Sequence, residues 1–221
     1  MKKNIFWFRR DLRLDDNTAL NAALNNNSVI AVFIFDANIV SKLPANDARI
    51  NFIYNQLKKI DALLKSHGSS LLVLKGDPVN IFSQLIEQYN TDVVYSNRDY
   101  EPYAISRDKR IAELLQKNKI KFLQFKDQVV FEPHEILKAD GLPYTVYTPY
   151  KNKWLLNFQK KIISVNSSLN LNNLFKFNTT FPSLLELGFS SSKIQVLEYK
   201  IDNLGEYAKE RDYPGLDRTR Y

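Results

Sequence analysis

The chain has no cysteine and only two histidines, His67 and His134, among its 221 residues. The absence of cysteine excludes disulfides, thiolate metal sites and cysteine nucleophiles, and two isolated histidines argue against a histidine-rich metal centre. No apolar run is long enough to cross a membrane, and the one after Met1 is too short for a secretory signal because Arg9 and Arg10 interrupt it. We therefore expect a cytoplasmic protein without a metal centre.

Several catalytic and nucleotide-binding motifs are also missing. No GxGxxG follows the first apolar run and no GxxxxGK[ST] occurs, so a standard dinucleotide or phosphate loop is not supported. Ser96 and Ser106 do not lie in the nucleophile elbow of a hydrolase, and neither histidine has the setting of a general base. Conventional hydrolysis is therefore not indicated, although other mononucleotide-binding sheets remain open.

The balance of charge is basic. Lys and Arg outnumber Asp and Glu by 31 to 24, which gives a formal net charge of +7. Such an excess favours a polyanionic partner through counterion release, but a compositional bias of the genome produces the same excess. With 44% hydrophobic residues, the chain fits one large folded domain or a domain with an extension.

Five short apolar runs alternate with helical patterns along the first 125 residues. The runs are Asn4 to Phe8, Val29 to Asp36, Leu71 to Lys75, Asp92 to Ser96 and Lys121 to Phe125. Parallel strands need crossover connections and are covered on both faces, which explains runs that are apolar throughout. We predict an α/β fold with a Rossmann-like, doubly wound, five-stranded parallel sheet, helices on both faces, a long linker and a terminal helix.

The helical segments carry recognisable boundaries. An apolar stripe predicts a helix from Asn46 to His67, which Gly68 ends, and Asp77 caps a helix that continues to Tyr89. Pro102 begins another helix, which ends near Asn118. Beyond it we predict an ordered aromatic loop over 141–150, a short helix at Trp154 and Phe158, a connection over 163–193 and a last helix from Lys193 to Arg211. The predicted domain boundaries are 1–130, 131–192 and 193–221.

The segment from Phe6 to Leu20 is the most informative one. A strand-like run passes directly into a dense block of opposite charges, and Asp16 or Asn17 can cap a helix that begins at Thr18. Such a block at the carboxyl end of a strand lies where open α/β sheets bind ligands, whereas the plain alternative is a solvated charged loop. The segment resembles the WFRxDLRLxDNxAL signature of the DNA photolyase and cryptochrome family.

Three later segments resemble the same family. They are Asn97 to Asp108, similar to N-x-D-x-E-P-Y followed by R-D; Gly141 to Trp154, similar to G-x-x-Y-x-V-F/Y-T-P-F/Y-x-x-x-W; and Gly205 to Pro214, similar to Y-x-x-x-R-D/N-x-P. Plain alternatives exist for each of them: Asp99 and Glu101 as helix caps paired with Arg98 or Arg107, the aromatic residues as core, and Tyr207 and Arg211 as surface residues.

The resemblance implies light-driven repair of cyclobutane pyrimidine dimers, in which an antenna chromophore passes energy to reduced FAD and the flavin donates an electron to the dimer. By this resemblance the antenna would lie near Phe35, Asp36, Asp99 and Glu101, FAD would contact Tyr207 and Thr219, and Arg211 would contact a DNA phosphate. Deazaflavin, FMN and folate remain open as the antenna, and so does a pocket without any chromophore. Folate-binding members carry an Asn-Glu pair where this chain has Tyr103 and Ala104, a difference that favours a deazaflavin type.

The resemblance covers nearly the whole chain but about the first half of the family's length. Thr219 matches the first position of the family's TSxLSPxLxFG segment, and Arg220 departs from it. We therefore expect UV-damaged DNA as the partner of the complete protein, a missing helical FAD-binding domain, a monomer, and little activity of this chain alone. A cryptochrome-like blue-light photoreceptor and a freestanding nucleotide-binding α/β module are the alternatives.

Overall fold

The computed structural model describes residues 2–25, 27–161, 170–194 and 204–213. Five parallel strands form the sheet: β1 (Lys3–Phe8), β2 (Ser28–Asp36), β3 (Leu71–Gly76), β4 (Thr91–Asn97) and β5 (Lys121–Phe125). Their order is β3-β2-β1-β4-β5. The predicted fold class is confirmed, and each predicted strand matches to within one residue at either end.

The strand order places a crevice beside β1. The chain adds β2 and β3 on one side of β1 and then crosses back to add β4 and β5 on the other side. The connections after β1 and β4 therefore leave the sheet in opposite directions. Ligands of open α/β sheets bind at such a point, outside the carboxyl ends of the strands.

Seven helices accompany the strands in the described residues: α1 (Thr18–Leu24), α2 (Ala37–Val40), α3 (Ala48–Ser66), α4 (Pro78–Tyr89), α5 (Pro102–Lys117), α6 (Tyr147–Phe158) and α7 (Tyr207–Glu210). The Asn17 side chain caps α1 by accepting the Leu20 N–H, and Asp77 caps α4 in the same way. Gly68 follows α3 with a φ of +71°, the left-handed conformation that favours glycine.

Alternating strand residues supply the core on both faces of the sheet. Phe6, Phe8, Phe33 and Phe35 pack with α1 and α3 on one face. Ile5, Trp7, Val32 and Ile34 pack with α4 and α5 on the other face. Because both faces are covered, the strands are apolar throughout, as expected for a parallel sheet.

The structure corrects two predictions for the later chain. The predicted aromatic loop over 141–150 gives way to α6 from Tyr147, and no residue of α6 is buried, so its aromatic residues do not form core as expected. Trp154 packs instead against Phe131 and Phe158 at the surface. Lys193 and Ile194 are not helical, which moves the start of the predicted last helix; residues 195–203 lie outside the described residues.

The segment over 170–192 returns along the α/β unit. Leu174 forms a parallel bridge with Val29 at the amino end of β2, and Leu187 and Phe189 are buried farther along. The segment therefore contributes side chains to the core as well as connecting elements. The predicted domain boundaries stay predictions. Among the helices described, none combines the length and the apolar character that a membrane span requires.

Candidate ligand-binding site

A cavity of about 550 Å³ lies at the carboxyl ends of β1 and β2, beside the start of α5. Its volume is in the range of small-molecule sites. Apolar side chains form most of its wall, and a smaller set of charged and polar groups converges on it: Arg9, Arg10, Asp36, Asn38, Lys42, Asp99, Glu101, Tyr103 and Arg107. The structure brings together Phe35, Asp36, Asp99 and Glu101, the four residues predicted for the antenna.

The Asp36 carboxylate is the innermost acidic group of the cavity, with 5% of the residue exposed. It accepts hydrogen bonds from the Tyr103 hydroxyl at 2.8 Å and from the Asn38 backbone N–H at 3.0 Å, and Arg107 lies 3.9 Å away. Burial and the bond to Asp36 raise the pKa of the Tyr103 hydroxyl. Tyr103 therefore keeps its proton and remains a hydrogen-bond donor at neutral pH.

A buried ion cluster supports the inner wall. The Asp108 carboxylate accepts bonds from Arg9 at 2.5 Å, Arg107 at 2.9 Å and Gln124 at 2.7 Å. The two guanidinium groups lie over the Trp7 ring, 5.0 and 4.8 Å from its centroid. Burial lowers the pKa of Arg9, and Asp108 opposes that shift. The cluster fixes both arginines where they border the cavity.

The rim of the cavity is more open. Arg10 lies 3.3 Å from the Asp99 carboxylate and 3.8 Å from that of Glu101. Glu101 occupies the cap position of α5 without a side-chain capping bond, and Asp99 accepts the Glu101 backbone N–H at 3.3 Å. The acids therefore pair with Arg10. The alternative partners were wrong, because Arg98 pairs with Glu132 and Arg107 with Asp108.

Part of the charged block after β1 is a buried polar network, whereas Arg10, Arg13, Asp15 and Asp16 are exposed, as a solvated loop would be. Asp11 accepts bonds from the Arg9 backbone N–H at 2.8 Å and from Asn97 at 2.5 Å. Asn97 also donates to Asn17 at 2.9 Å and accepts the Ala19 N–H at 3.0 Å. Asn97 thus connects the carboxyl ends of β1 and β4 with the start of α1. This network positions Arg9 and Arg10 beside the cavity.

The other predicted site residues do not line this cavity. Tyr207 is 39% exposed, and its carbonyl accepts the Arg211 backbone N–H at 2.9 Å. The Arg211 guanidinium lies 3.7 Å from the neighbouring Asp212 carboxylate. Thr219, the second residue expected to contact FAD, lies outside the described residues.

Tyr103 and Arg107 line the cavity but were not predicted as site residues: Tyr103 served only to compare antenna types, and Arg107 was only an alternative partner of Asp99 or Glu101. They are four residues apart on α5 and therefore share one face of that helix. The start of α5 follows β4 at the ligand-binding edge of the sheet, so this spacing was the available signal. Asp36 was a predicted antenna residue, but its contact with Tyr103 was not predictable, because the two residues are 67 positions apart in the sequence.

The fold and the position of the cavity define a Rossmann-like, doubly wound α/β domain with a cavity at the carboxyl ends of its strands, and sequence comparison identifies the family. The family model described as DNA photolyase matches residues 4–166. The chain belongs to the DNA photolyase family.

Three matches show how the chain relates to other proteins. A deoxyribodipyrimidine photo-lyase of Synechococcus sp. strain PCC 6301 is 37% identical over 68% of this chain and 31% of the relative. An uncharacterized 31.6 kDa protein of Synechococcus sp. strain PCC 6716 is 28% identical over 98% of this chain and 81% of the relative. The chain thus spans about a third of that photo-lyase and most of the smaller relative.

A solved structure gives a similar picture. The archaeal photolyase of Sulfolobus tokodaii superposes with a TM-score of 0.64 at 28% identity, over 87% of this chain and 43% of that protein. That photolyase is described as containing two FAD molecules, with the implication of a novel light-harvesting cofactor.

Proposed function

We propose that the cavity beside β1 and β2 binds the antenna chromophore of a light-dependent DNA-repair flavoprotein. The observation that carries the proposal is the convergence of a buried carboxylate, Asp36, and a protonated hydroxyl, Tyr103, on a cavity of about 550 Å³ with apolar walls. Such a site binds a planar heteroaromatic molecule, because its walls cover the ring faces and its few polar groups orient the ring edge.

The charges around the cavity support a chromophore with an uncharged ring. Inside, Arg9 and Arg107 are balanced by Asp108 and Asp36; at the rim, Arg10 and Lys42 are balanced by Asp99 and Glu101. A cavity with this balance does not require a charged ligand core. Deazaflavin and flavin rings meet this condition, and the phosphate of FMN would extend toward the basic groups of the rim.

The remaining steps of repair extend beyond the described site. We propose that excitation energy passes from this chromophore to reduced FAD, which splits a cyclobutane pyrimidine dimer by electron transfer, with Tyr207 and Thr219 contacting FAD and Arg211 contacting DNA. This proposal is supported by the family and by the relatives named photo-lyase. Light-dependent loss of cyclobutane pyrimidine dimers from UV-irradiated DNA tests the proposed repair. We expect that this chain needs the further part that longer photolyases contain. Light-dependent splitting of dimers by this chain alone would contradict that expectation.

Chromophore binding is testable with the purified 221-residue chain. We expect saturable binding of one member of a panel of deazariboflavin, FMN, FAD and methenyltetrahydrofolate, followed by the change in ligand fluorescence. Tyr103→Phe removes one hydrogen bond to Asp36 and is expected to weaken binding about fivefold, and Asp36→Asn is expected to weaken it by about tenfold or more.

The chain offers matched controls for both variants. Tyr147→Phe changes an exposed tyrosine of α6, and Asp92→Asn changes an acid at the opposite edge of the sheet. Neither is expected to alter binding. Failure of every panel member to bind, or equal weakening by the controls, would refute the assignment of the cavity.

A second candidate is a freestanding nucleotide-binding module. The observation that favours it is the 31.6 kDa relative, of which this chain spans 81%. Adding ATP to the same panel separates the two candidates: binding of ATP with no response to any chromophore would favour the module.

A further inference from the structure

A short turn over 183–189 is defined at its start by three hydrogen bonds between Ser183 and Glu186. The backbone N–H and the hydroxyl of Ser183 both donate to the Glu186 carboxylate at 2.7 Å, and the Glu186 backbone N–H donates to the Ser183 hydroxyl at 3.2 Å. This is a capping box, the arrangement that Ser and Glu form when they are three residues apart at the start of a helical turn.

The end of the same turn is also defined by local sequence. Gly188 has a φ of +70°, and its N–H donates to the Leu185 carbonyl at 2.8 Å. The Phe189 N–H donates to the Leu184 carbonyl at 2.7 Å. These two bonds form a Schellman motif, in which the residue after the glycine turns back toward the apolar side. The turn therefore directs Phe189 into the core, where 4% of it remains exposed.

Phe189 packs behind the wall of the cavity. Its ring lies edge-on to Phe35, 5.2 Å between centroids, and Phe35 lines the cavity. Lys75, the register partner of Phe35 on β3, lies 4.2 Å from the Phe189 ring centroid and donates to the Leu187 carbonyl at 2.7 Å. A methyl group on Gly188 would approach the Lys75 ammonium to 3.0 Å, a contact that the flexible lysine side chain can relieve, so the positive φ is the main reason for glycine there.

The residues after Phe189 attach the turn to a second part of the wall. The Ser190 N–H donates to the Ala45 carbonyl at 2.9 Å, and Asn51 bonds to the backbone of both Ser190 and Ser192. Ala45 lies two residues after Leu43, and Leu43 also lines the cavity. The segment thus contacts both the β2 side and the α2–α3 side of the site without lining the cavity itself.

We infer that Phe189 is a positioning residue for the ligand of the cavity, acting through Phe35. The inference rests on the proposed function for the identity of the ligand, but its physical content is that the turn over 183–189 fixes the shape of one cavity wall. An unsupported Phe35 ring would move into the space left by Phe189, because closely packed side chains relax toward a neighbouring void.

Ligand binding by two paired variants tests the inference. Phe189→Leu keeps an apolar side chain but removes the edge-on ring contact, and it is expected to weaken binding of the panel chromophore about fivefold. Leu174→Ala is the control: Leu174 is buried in the same segment and the same core cluster but bridges to the amino end of β2, away from the cavity. The control is expected to lower the melting temperature while leaving the dissociation constant within about twofold.

The position of Phe35 is measurable without any ligand. With 4-fluorophenylalanine at residue 35, the ¹⁹F NMR spectrum of the otherwise unchanged chain is expected to show one signal. Phe189→Leu is expected to shift or split that signal, and Leu174→Ala is expected to leave it in place. Both spectra are recorded well below the melting temperatures of the variants, so that unfolding does not contribute.

The outcomes separate the two proposals. A shifted signal at residue 35 with no panel member bound would refute the proposed function and leave the wall contact supported. Chromophore binding that Phe189→Leu leaves unchanged, or that both variants weaken equally, would refute the positioning role and leave the proposed function intact. An unchanged ¹⁹F signal in Phe189→Leu would also refute the positioning role of Phe189.

Discussion

The sheet has a carboxyl edge, where its parallel strands end, and an amino edge, where they begin. Both carry ion pairs of similar length, but in very different surroundings. At the carboxyl edge, Arg9 and Asp108 are 2.5 Å apart with side chains 7% and 8% exposed. At the amino edge, Lys2 and Asp92 are 2.9 Å apart with side chains 61% and 34% exposed. The first pair belongs to a buried cluster that borders the cavity, and the second joins an exposed lysine to a partly exposed aspartate. Distance alone therefore says little about what an ion pair contributes.

The difference follows from how each charge is solvated. A buried carboxylate loses its water shell and has to be compensated by several donors, as Asp108 is by Arg9, Arg107 and Gln124. An exposed carboxylate keeps most of its water, and screening weakens its attraction to a lysine. The charged side chains at the carboxyl edge are therefore held in one geometry, which is what a ligand site requires. Those at the amino edge can be substituted with little effect.

Removing one acid at each edge should give the largest contrast. Asp108→Ala leaves two buried guanidinium groups without their shared partner and is expected to lower the free energy of unfolding by about 3–5 kcal/mol. Asp92→Ala at the amino edge is expected to lower it by about 0–1 kcal/mol. Urea unfolding followed by circular dichroism measures both. Similar losses for the two variants would show that the edges do not differ as we argue.

The amide network beside the ion cluster should give an intermediate effect. Asn97→Ala removes the donor to Asp11 and Asn17 and the acceptor of the Ala19 N–H, and it is expected to lower the free energy of unfolding by about 1–3 kcal/mol. The exposed Asn118, whose side chain donates to the Leu114 carbonyl of its own helix, serves as the matched control. A loss in Asn118→Ala as large as that in Asn97→Ala would contradict the network's role.

Local pattern predicted the framework of the sheet, because apolar runs and caps are set by neighbouring residues. The resemblance to the DNA photolyase and cryptochrome family then pointed to Phe35, Asp36, Asp99 and Glu101, and these residues line one cavity. The antenna role of those residues stays a prediction. Local pattern therefore predicted at which edge of the sheet the candidate site lies, but it did not predict the contacts between residues at that edge.

The contacts that shape the site were beyond such reasoning. Asp36 meets Tyr103, and Phe35 meets Phe189, only after distant parts of the chain have packed together. The short helix predicted at Trp154 and Phe158 lies within α6, but the exposure of its aromatic residues was misjudged for a related reason: aromatic clusters are usually buried, whereas here Tyr147 is largely exposed. Burial is a property of the packed chain, so composition alone did not reveal it.

The smallest expected effect concerns Asp47, which caps α3 and whose half-buried side chain pairs with the exposed Arg49. Its side chain accepts bonds from the side chain and the backbone N–H of Arg49, and these bonds lower its pKa from the ordinary 3.8 to about 2. Because the folded pKa lies below the unfolded one, ionised Asp47 stabilises the fold above about pH 4, and this contribution is lost as the pH falls toward 2. Titration of the side-chain carboxyl carbon by NMR measures the pKa directly.

Arg49→Met separates the two bonds to Asp47. The variant removes the guanidinium but keeps the backbone N–H, so the pKa of Asp47 is expected to rise only part of the way from about 2 toward 3.8. The change in stability at neutral pH is expected to be small, since the Arg49 side chain is exposed and solvent screens its attraction to Asp47. An Asp47 pKa that Arg49→Met does not move would show that the helix cap alone accounts for the shift, and that an exposed pair contributes even less than the contrast between the two edges implies.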